Sequence, residues 1–446
     1  MKSRILLPGL LAILHFSVFS LAVPLFAVPL FADDWPQWRG PGRDGVWHET
    51  GIIKEFDGPE LKLRWRVPIA AGYAGPTVAD GRVFVMDRVT EPEEVERVHC
   101  FDWTDGKRLW SHTYPCKYGK IGYQAGPRAS VTIDDGRAYA LGAVGHCFCF
   151  DAASGEILWK SDLAEEYRIR MPMWGIAAAP LIEGDLLIVQ IGGDNGACIV
   201  ALDKMTGRKR WTALDDKASY SAPIVIDQAG RRVLVCWTGA RVVGLDVSSG
   251  EIYWEHPYGY EDWPLQIATP VVDNGRLLVT AADRGSLMLR LLGDRPAVEK
   301  VWWRYGPDEH HTDSLHSLMC TPYFDGGHVY GVSIYGLLRC LDAETGDRVW
   351  EDGTATSQVR FGHLHMVRNG ERIWMFNDRG ELLISRLTPE GFEEISRAKL
   401  IRPTLEQLRR RDGVTWSHPA FAYKHVFARS DEELVCASLA ADEKDE

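Results

Sequence analysis

Arg128, Arg170 and Arg360, with Trp174, Trp416, His316, His363 and His418, are the residues of this sequence best suited to hold a small ligand. Guanidinium groups pair with carboxylates and phosphates through parallel hydrogen bonds. Indole faces stack on flat apolar surfaces. Imidazoles move protons or ligate metals near neutral pH. Together with Tyr123, Trp263 and His365 they fall in six segments, 117–128, 160–179, 255–268, 304–320, 351–365 and 396–418. Their types predict a polar and aromatic pocket for an anionic or carbohydrate-like ligand. The rival reading is ordinary loop packing around a water-filled channel.

Other clusters carry less chemistry. "GPDEHHTDSLHS" holds His310, His311, Asp313 and His316, all metal-ligand types, but the spacing matches no zinc pattern and a solvated loop is expected. "FGHLHM" places His363 and His365 on one face of a strand, where packing competes with a site. No Gly-x-Ser-x-Gly elbow and no Gly-rich phosphate loop ahead of a helix is present. No residue is therefore assigned a catalytic or metal-binding role.

A spacing rule shows what would position these residues. Asp, Gly and Trp recur four residues apart at Asp102/Gly106/Trp110, Asp151/Gly155/Trp159, Asp203/Gly207/Trp211, Asp246/Gly250/Trp254 and Asp342/Gly346/Trp350. Upstream of each lies a Gly, a polar residue or two, and a β-branched or aromatic run, as in "GRVFV", "GDLLIV" and "GRRVLV". Short apolar runs punctuated by Gly and Asp read as antiparallel strands, and self-similarity at 40–50 residues marks a propeller. Asp bonds local amides, Gly takes positive φ, and Trp is large enough to reach the neighbouring sheet. Burying about 200 Å² of Trp contributes roughly 5 kcal/mol gross. The last unit ends after three strands, and "LKLRWRV" (61–67) can supply the fourth. The expected fold is all-β, an eight-bladed β-propeller over 61–446 whose ring is closed by an N-terminal strand. "PTLEQLRRR" (403–411) is expected as a short helix inside an inter-blade loop.

"ALDKMTGRKRW" resembles the tryptophan-docking motif of the PQQ-repeat (pyrroloquinoline quinone-like) β-propellers through Ala201, Asp203, Thr206, Gly207, Arg208 and Trp211. The start, "DDWPQWRGPGRDG" (33–45), looks like that of exported PQQ-like propellers of planctomycete-type bacteria. This superfamily includes quinoprotein alcohol dehydrogenases and BamB-like assembly proteins. The first resemblance implies pyrroloquinoline quinone with Ca²⁺, an adjacent Cys pair and, in many members, a Cys-x-x-Cys-His haem site. This chain has neither Cys motif. The second implies a non-catalytic scaffold for protein partners, though with a lipidated Cys that this chain lacks. The resulting expectation is a non-catalytic binding or interaction scaffold without cofactor. A quinone-dependent oxidoreductase and a saccharide-binding propeller are the alternatives.

Lys2 and Arg4 precede an apolar run from Ile5 to Phe31, and Leu30-Phe31-Ala32 resembles a cleavage site, so 1–32 is expected to be an export signal. A periplasmic or extracellular monomer follows, with no stable membrane span after cleavage. Segment 33–60 is expected to be a strap that packs Trp35 and Trp38 on the propeller wall, since exposed Trp is costly, with a ligand or partner surface as the rival reading. The nine Cys are expected mostly as small buried packing residues, Cys147 and Cys149 included. A formal net charge of −12 argues against a nucleic-acid surface. The partner is expected to be a protein or a small polar ligand on the face carrying the inter-blade loops.

Overall fold

The computed structural model describes residues 33–259, 265–409 and 412–441. Among them, strands form eight antiparallel four-stranded sheets. Seven sheets are built from consecutive strands; the eighth joins Leu63–Pro68 to Glu433–Ser438, His425–Arg429 and Ala420–Ala422. Leu63 pairs with Ala437 and Trp65 with Cys436, so the ring closes through an N-terminal strand as its sequence predicts. No edge is left open at the seam.

Local rules build each blade. Asp80–Gly81, Asp135–Gly136 and Asn274–Gly275 have φ between 45° and 73° at both positions, the two-residue turn that matches strand twist. This explains the recurring Gly ahead of each second strand. In the later turn, Asp203 accepts amide hydrogen bonds from Met205 and Thr206, while Gly207 at φ 71° returns its own amide to the Asp203 carbonyl. Asp102, Asp151, Asp246 and Asp342 repeat this capture.

The tryptophans then join blade to blade. Trp65, Trp110, Trp159, Trp211 and Trp302 lie against Gly106, Gly155, Gly207, Gly250 and Gly346 of the following blade, where a Cβ would fall 2.6 to 2.9 Å from the ring. The indole N–H of Trp65, Trp110, Trp159 and Trp302 donates to the carbonyl just past the next blade's turn Asp or its equivalent, at Trp103, Ala152, Lys204 and Ala343, over 2.8 to 3.0 Å. At these four junctions the motif links one sheet to the next by stacking and a hydrogen bond together, and at Trp211 by stacking alone.

One local expectation changes. Residues 403–409 form no helix: Asp431 draws in the Thr404 hydroxyl and the amides of Glu406 and Gln407, bending the chain into a loop with Gln407 and Leu408 buried. Arg410 and Arg411 of that stretch lie outside the described residues. A one-turn helix stands instead at Leu163–Tyr167, capped by the Asp162 carboxylate. All nine cysteines are free and buried. No described helix is long and apolar enough to cross a membrane.

Candidate ligand-binding site

The first strand of each blade is innermost and faces the ring axis. The strap crosses this axis. Its ends bond to turns between first and second strands: Asp34 accepts from the Tyr423 hydroxyl and the Asp80 amide, and Glu49 accepts from the Lys424 amide and the Trp47 indole. Those turns lie on the face opposite the inter-blade loops. Between its ends the strap dips into the channel. The Pro36 carbonyl accepts from Ile133 of blade 2, Arg43 donates to the carbonyls of Ala179, Pro180 and Pro223, and Gly45 meets Arg368 of blade 7.

The strap therefore departs from its expected role. Trp35 does pack on the wall, edge-on to Phe421. Trp38 enters the channel instead, because Thr269 offers its hydroxyl to the indole N–H at 2.8 Å and His365 and His418 offer ring edges. Trp38 becomes the floor of a cavity of about 180 Å³ that opens toward the inter-blade loops.

The cavity walls come from the segments running into all eight innermost strands. Tyr73, Tyr123, Trp174, Tyr220, Phe361 and Trp416 present aromatic rings, and Ala177, Ala179, Ala222, Ile267, Leu318 and Met319 fill the gaps. Trp174 stacks on Tyr220 at 5.0 Å, and Tyr123 bridges Trp174 and Trp416 at 5.6 and 6.1 Å. Tyr123 and Phe361 hold φ of 53° and 70°, a left-handed backbone that aromatic residues avoid.

Arg128 is the cation of the wall. It donates to the carbonyls of Gly126, Gly122 and Tyr123 and lies over the Tyr73 ring at 5.1 Å. Among the described residues no carboxylate lies within ion-pair distance of it. His363, His365 and His418 are neutral at pH 7. Burial holds His363 and His418 down to about 4, and burial holds His365 well below its ordinary value with help from its two imidazole neighbours. His365 Nε2 lies 2.9 Å from the Trp416 carbonyl and 2.7 Å from His363 Nε2. A carbonyl only accepts, so the neutral His365 carries its proton on Nε2. His363 then accepts on Nε2 and keeps its own proton on Nδ1, 3.1 Å from Cys320 Sγ.

Of the residues singled out in the sequence, Arg128, Trp174, His363, Trp416 and His418 line this cavity, with Tyr123 and His365. Arg170, His316 and Arg360 do not. Arg170 pairs with Asp194 and bonds the carbonyls of Asp215 and Asp216. His316 is buried against the Ala282 carbonyl at 2.7 Å, on a backbone with φ 48°. Arg360 pairs with Glu309. Trp263 lies outside the described residues. His310 stacks on Tyr335 and His311 pairs with Asp308, both at the exposed surface. Sequence reading missed Tyr73 and Tyr220 and set Trp38 on the wall. A period-two signal ahead of each inner strand would have found Tyr220: Arg128/Ser130, Tyr220/Ala222, His363/His365 and Trp416/His418 all alternate inward.

A family model described as outer membrane protein assembly factor BamB matches residues 94–352. The 1-butanol dehydrogenase (quinone) of Thauera butanivorans is 31% identical over 148 residues, 30% of this chain and 23% of that one. The outer membrane protein assembly factor BamB of Shewanella oneidensis is 23% identical over 227 residues, 50% of this chain and 56% of that one. The chain thus spans little more than half the length of these relatives at most. Among solved structures, BamB from Moraxella catarrhalis superposes with a TM-score of 0.57 at 16% identity, covering 85% of this chain and 99% of that one. The quinohemoprotein alcohol dehydrogenase of Comamonas testosteroni gives 0.62 at 13% identity, covering 92% and 81%. At these identities the structural likeness speaks for the fold alone.

Proposed function

The chain belongs to the PQQ-repeat β-propeller family, and on that premise we propose that it is an exported, non-catalytic binding propeller whose ligand or partner engages the axial cavity. The observation that supports this reading is the composition of the cavity wall. Its side chains supply aromatic faces, aliphatic surface, hydroxyls, three neutral imidazoles and one guanidinium. They suit stacking, apolar burial and the holding of one negative charge. No carboxylate, thiol or lysine amine lines the described wall, and His418, which bonds the Ser130 hydroxyl, has the Pro419 carbonyl and no carboxylate on its other ring nitrogen.

The quinone-dependent alternative requires more than this wall offers. Pyrroloquinoline quinone is a planar tricarboxylate used with Ca²⁺, and Ca²⁺ takes six to eight oxygen ligands, chiefly carboxylate and amide. Among the described residues lining the cavity there is no Asp, Glu, Asn or Gln, and one guanidinium faces three carboxylates. This donor set does not fit the group.

Calorimetry with the quinone plus Ca²⁺, run beside a dye-linked alcohol oxidation assay, tests the proposal. The expected result is neither tight binding nor turnover. Submicromolar binding that disappears in Arg128→Ala, together with turnover, would overturn it in favour of an oxidoreductase. Export is read from residues 1–32, and cell fractionation checks it.

A further inference from the structure

We propose that the axial cavity takes a single-ring aromatic monocarboxylate, with the carboxylate on Arg128 and the ring among the aromatic walls. This rests on the binding-propeller reading and names the ligand class for it.

Charge comes first. Arg128 spends its bonds on three backbone carbonyls and has no carboxylate partner among the described residues. Two further guanidiniums lie with the strap. Arg43 is buried among the carbonyls of Ala179, Pro180 and Pro223, and Arg39 bonds the carbonyls of Arg43 and Asp44. Neither forms an ion pair among the described residues. Arg39 lies near enough to His365 to oppose its protonation. A chain of net charge −12 thus sets three guanidiniums along its axis, which the neutral histidines do not add to, with Asp44 near Arg39 and Asp378 near His363 as the opposing charges. One guanidinium reaches the cavity itself, which matches one carboxylate.

Size and polarity fix the rest. The volume of about 180 Å³ is close to that of cavities of about 150 Å³ that hold benzene. A sugar of this size brings several hydroxyls, each needing a partner. Of the wall's hydroxyls, Ser130 bonds His418 and Tyr73 donates to the Gln407 carbonyl, while Thr269 accepts from the Trp38 indole and Tyr220 from the Trp174 amide. Stacking surface is plentiful where hydrogen bonds are not. The left-handed backbones of Tyr123 and Phe361 are held by Arg128 on the Tyr123 carbonyl and by Ile334 on the Phe361 amide, so these rings are preset before a ligand arrives.

Titration with benzoate, benzyl alcohol and glucose, followed by calorimetry and tryptophan fluorescence, tests this. Benzoate is expected to bind below about 1 mM, with benzyl alcohol at least about ten-fold weaker and glucose undetected. Arg128→Met should remove the preference for benzoate over benzyl alcohol. Arg128 also braces three carbonyls, so a second variant, Ala177→Leu, fills the cavity without touching that brace and should abolish benzoate binding at an unchanged melting temperature. Failure of folded protein to bind benzoate at about 10 mM overturns the ligand class and leaves the binding-propeller reading in place. Equal affinity for benzyl alcohol overturns the role of charge. Unchanged binding in Ala177→Leu overturns the location. Quinone turnover, in contrast, overturns the functional reading itself.

Discussion

The indole of Trp38 meets the imidazole of His418 edge-on, with ring centroids 4.7 Å apart and planes at 85°. One ring comes from the strap and the other from the last blade, so the cavity exists only when both ends of the chain are in place. His418 in turn bonds Ser130 ahead of strand Thr132–Asp134, which carries the contact past the intervening sheet.

Trp38→Ala removes that floor. The variant is expected to lose about 2–4 kcal/mol in urea melts, because the surrounding carbonyls and rings relax only partly into the space. Water would also reach His418. Its imidazole, held near 4 by burial, should titrate closer to 6.5 in an NMR pH series. A native-like stability and an unmoved His418 would show that Trp38 is not the floor.

Gly250 and Gly230 separate steric docking from backbone preference. Both have positive φ, 77° and 73°. A Cβ at Gly250 would sit 2.6 Å from the Trp211 ring, whereas nothing lies within 4 Å of one at Gly230. Gly230→Ala is expected to cost about 1 kcal/mol, the backbone term. Gly250→Ala should cost a further 1–3 kcal/mol or so for pushing the indole off its seat. Equal losses in chemical denaturation would count against the docking.

Stability should fall as acid is added, starting above the carboxylate range. His363 and His418 have folded values near 4 against an ordinary 6.5, both lowered by burial. Between these values the unfolded chain binds more protons, so stability is full above pH 6.5 and is lost as pH falls toward 4. The loss is about 1.4 kcal/mol per pH unit for each ring. Asp87 acts in a lower window. Burial raises its carboxyl, but hydrogen bonds from His99 and Arg97 outweigh that and hold it well below 3.8, so its contribution disappears only at still lower pH. Thermal melts from pH 7 to 4 should show the decline, and the double variant His363→Gln/His418→Gln should make it shallower, with His365 still contributing.

The ring was legible because its rule is local. Asp203, Gly207 and Trp211 each do one job that only their residue types can do, and the sequence states it five times. The site was partly legible for a related reason. Arg128, His363, Trp416 and His418 stand just ahead of inner strands, where alternation aims them at the axis. Arg360 is one residue out of phase with Phe361 and His363, and it faces Glu309 instead. Trp38 was hidden because no period governs the strap. Its place depends on a hydroxyl at Thr269, 231 residues away. The failed helix at 403–409 is similar: the pattern suggested a helix, and the distant Asp431 captured its first amides.

The seam of the ring also has a mechanical character. Leu63 lies opposite Ala437 and Pro68 opposite Glu433, and the pairing continues outward to Ile52 and Ala440. The two strands are antiparallel with their free ends side by side, so tension between residues 33 and 441 would open them one pair at a time, the direction in which a sheet resists least. The strap lies between that tension and the seam. A pull on the N-terminal side must first lift Trp35 off the wall and draw Trp38 and Arg43 out of the channel, against buried rings and four side chain–carbonyl or side chain–hydroxyl bonds. The segment that floors the cavity is thus also the pin that keeps the band from being peeled apart.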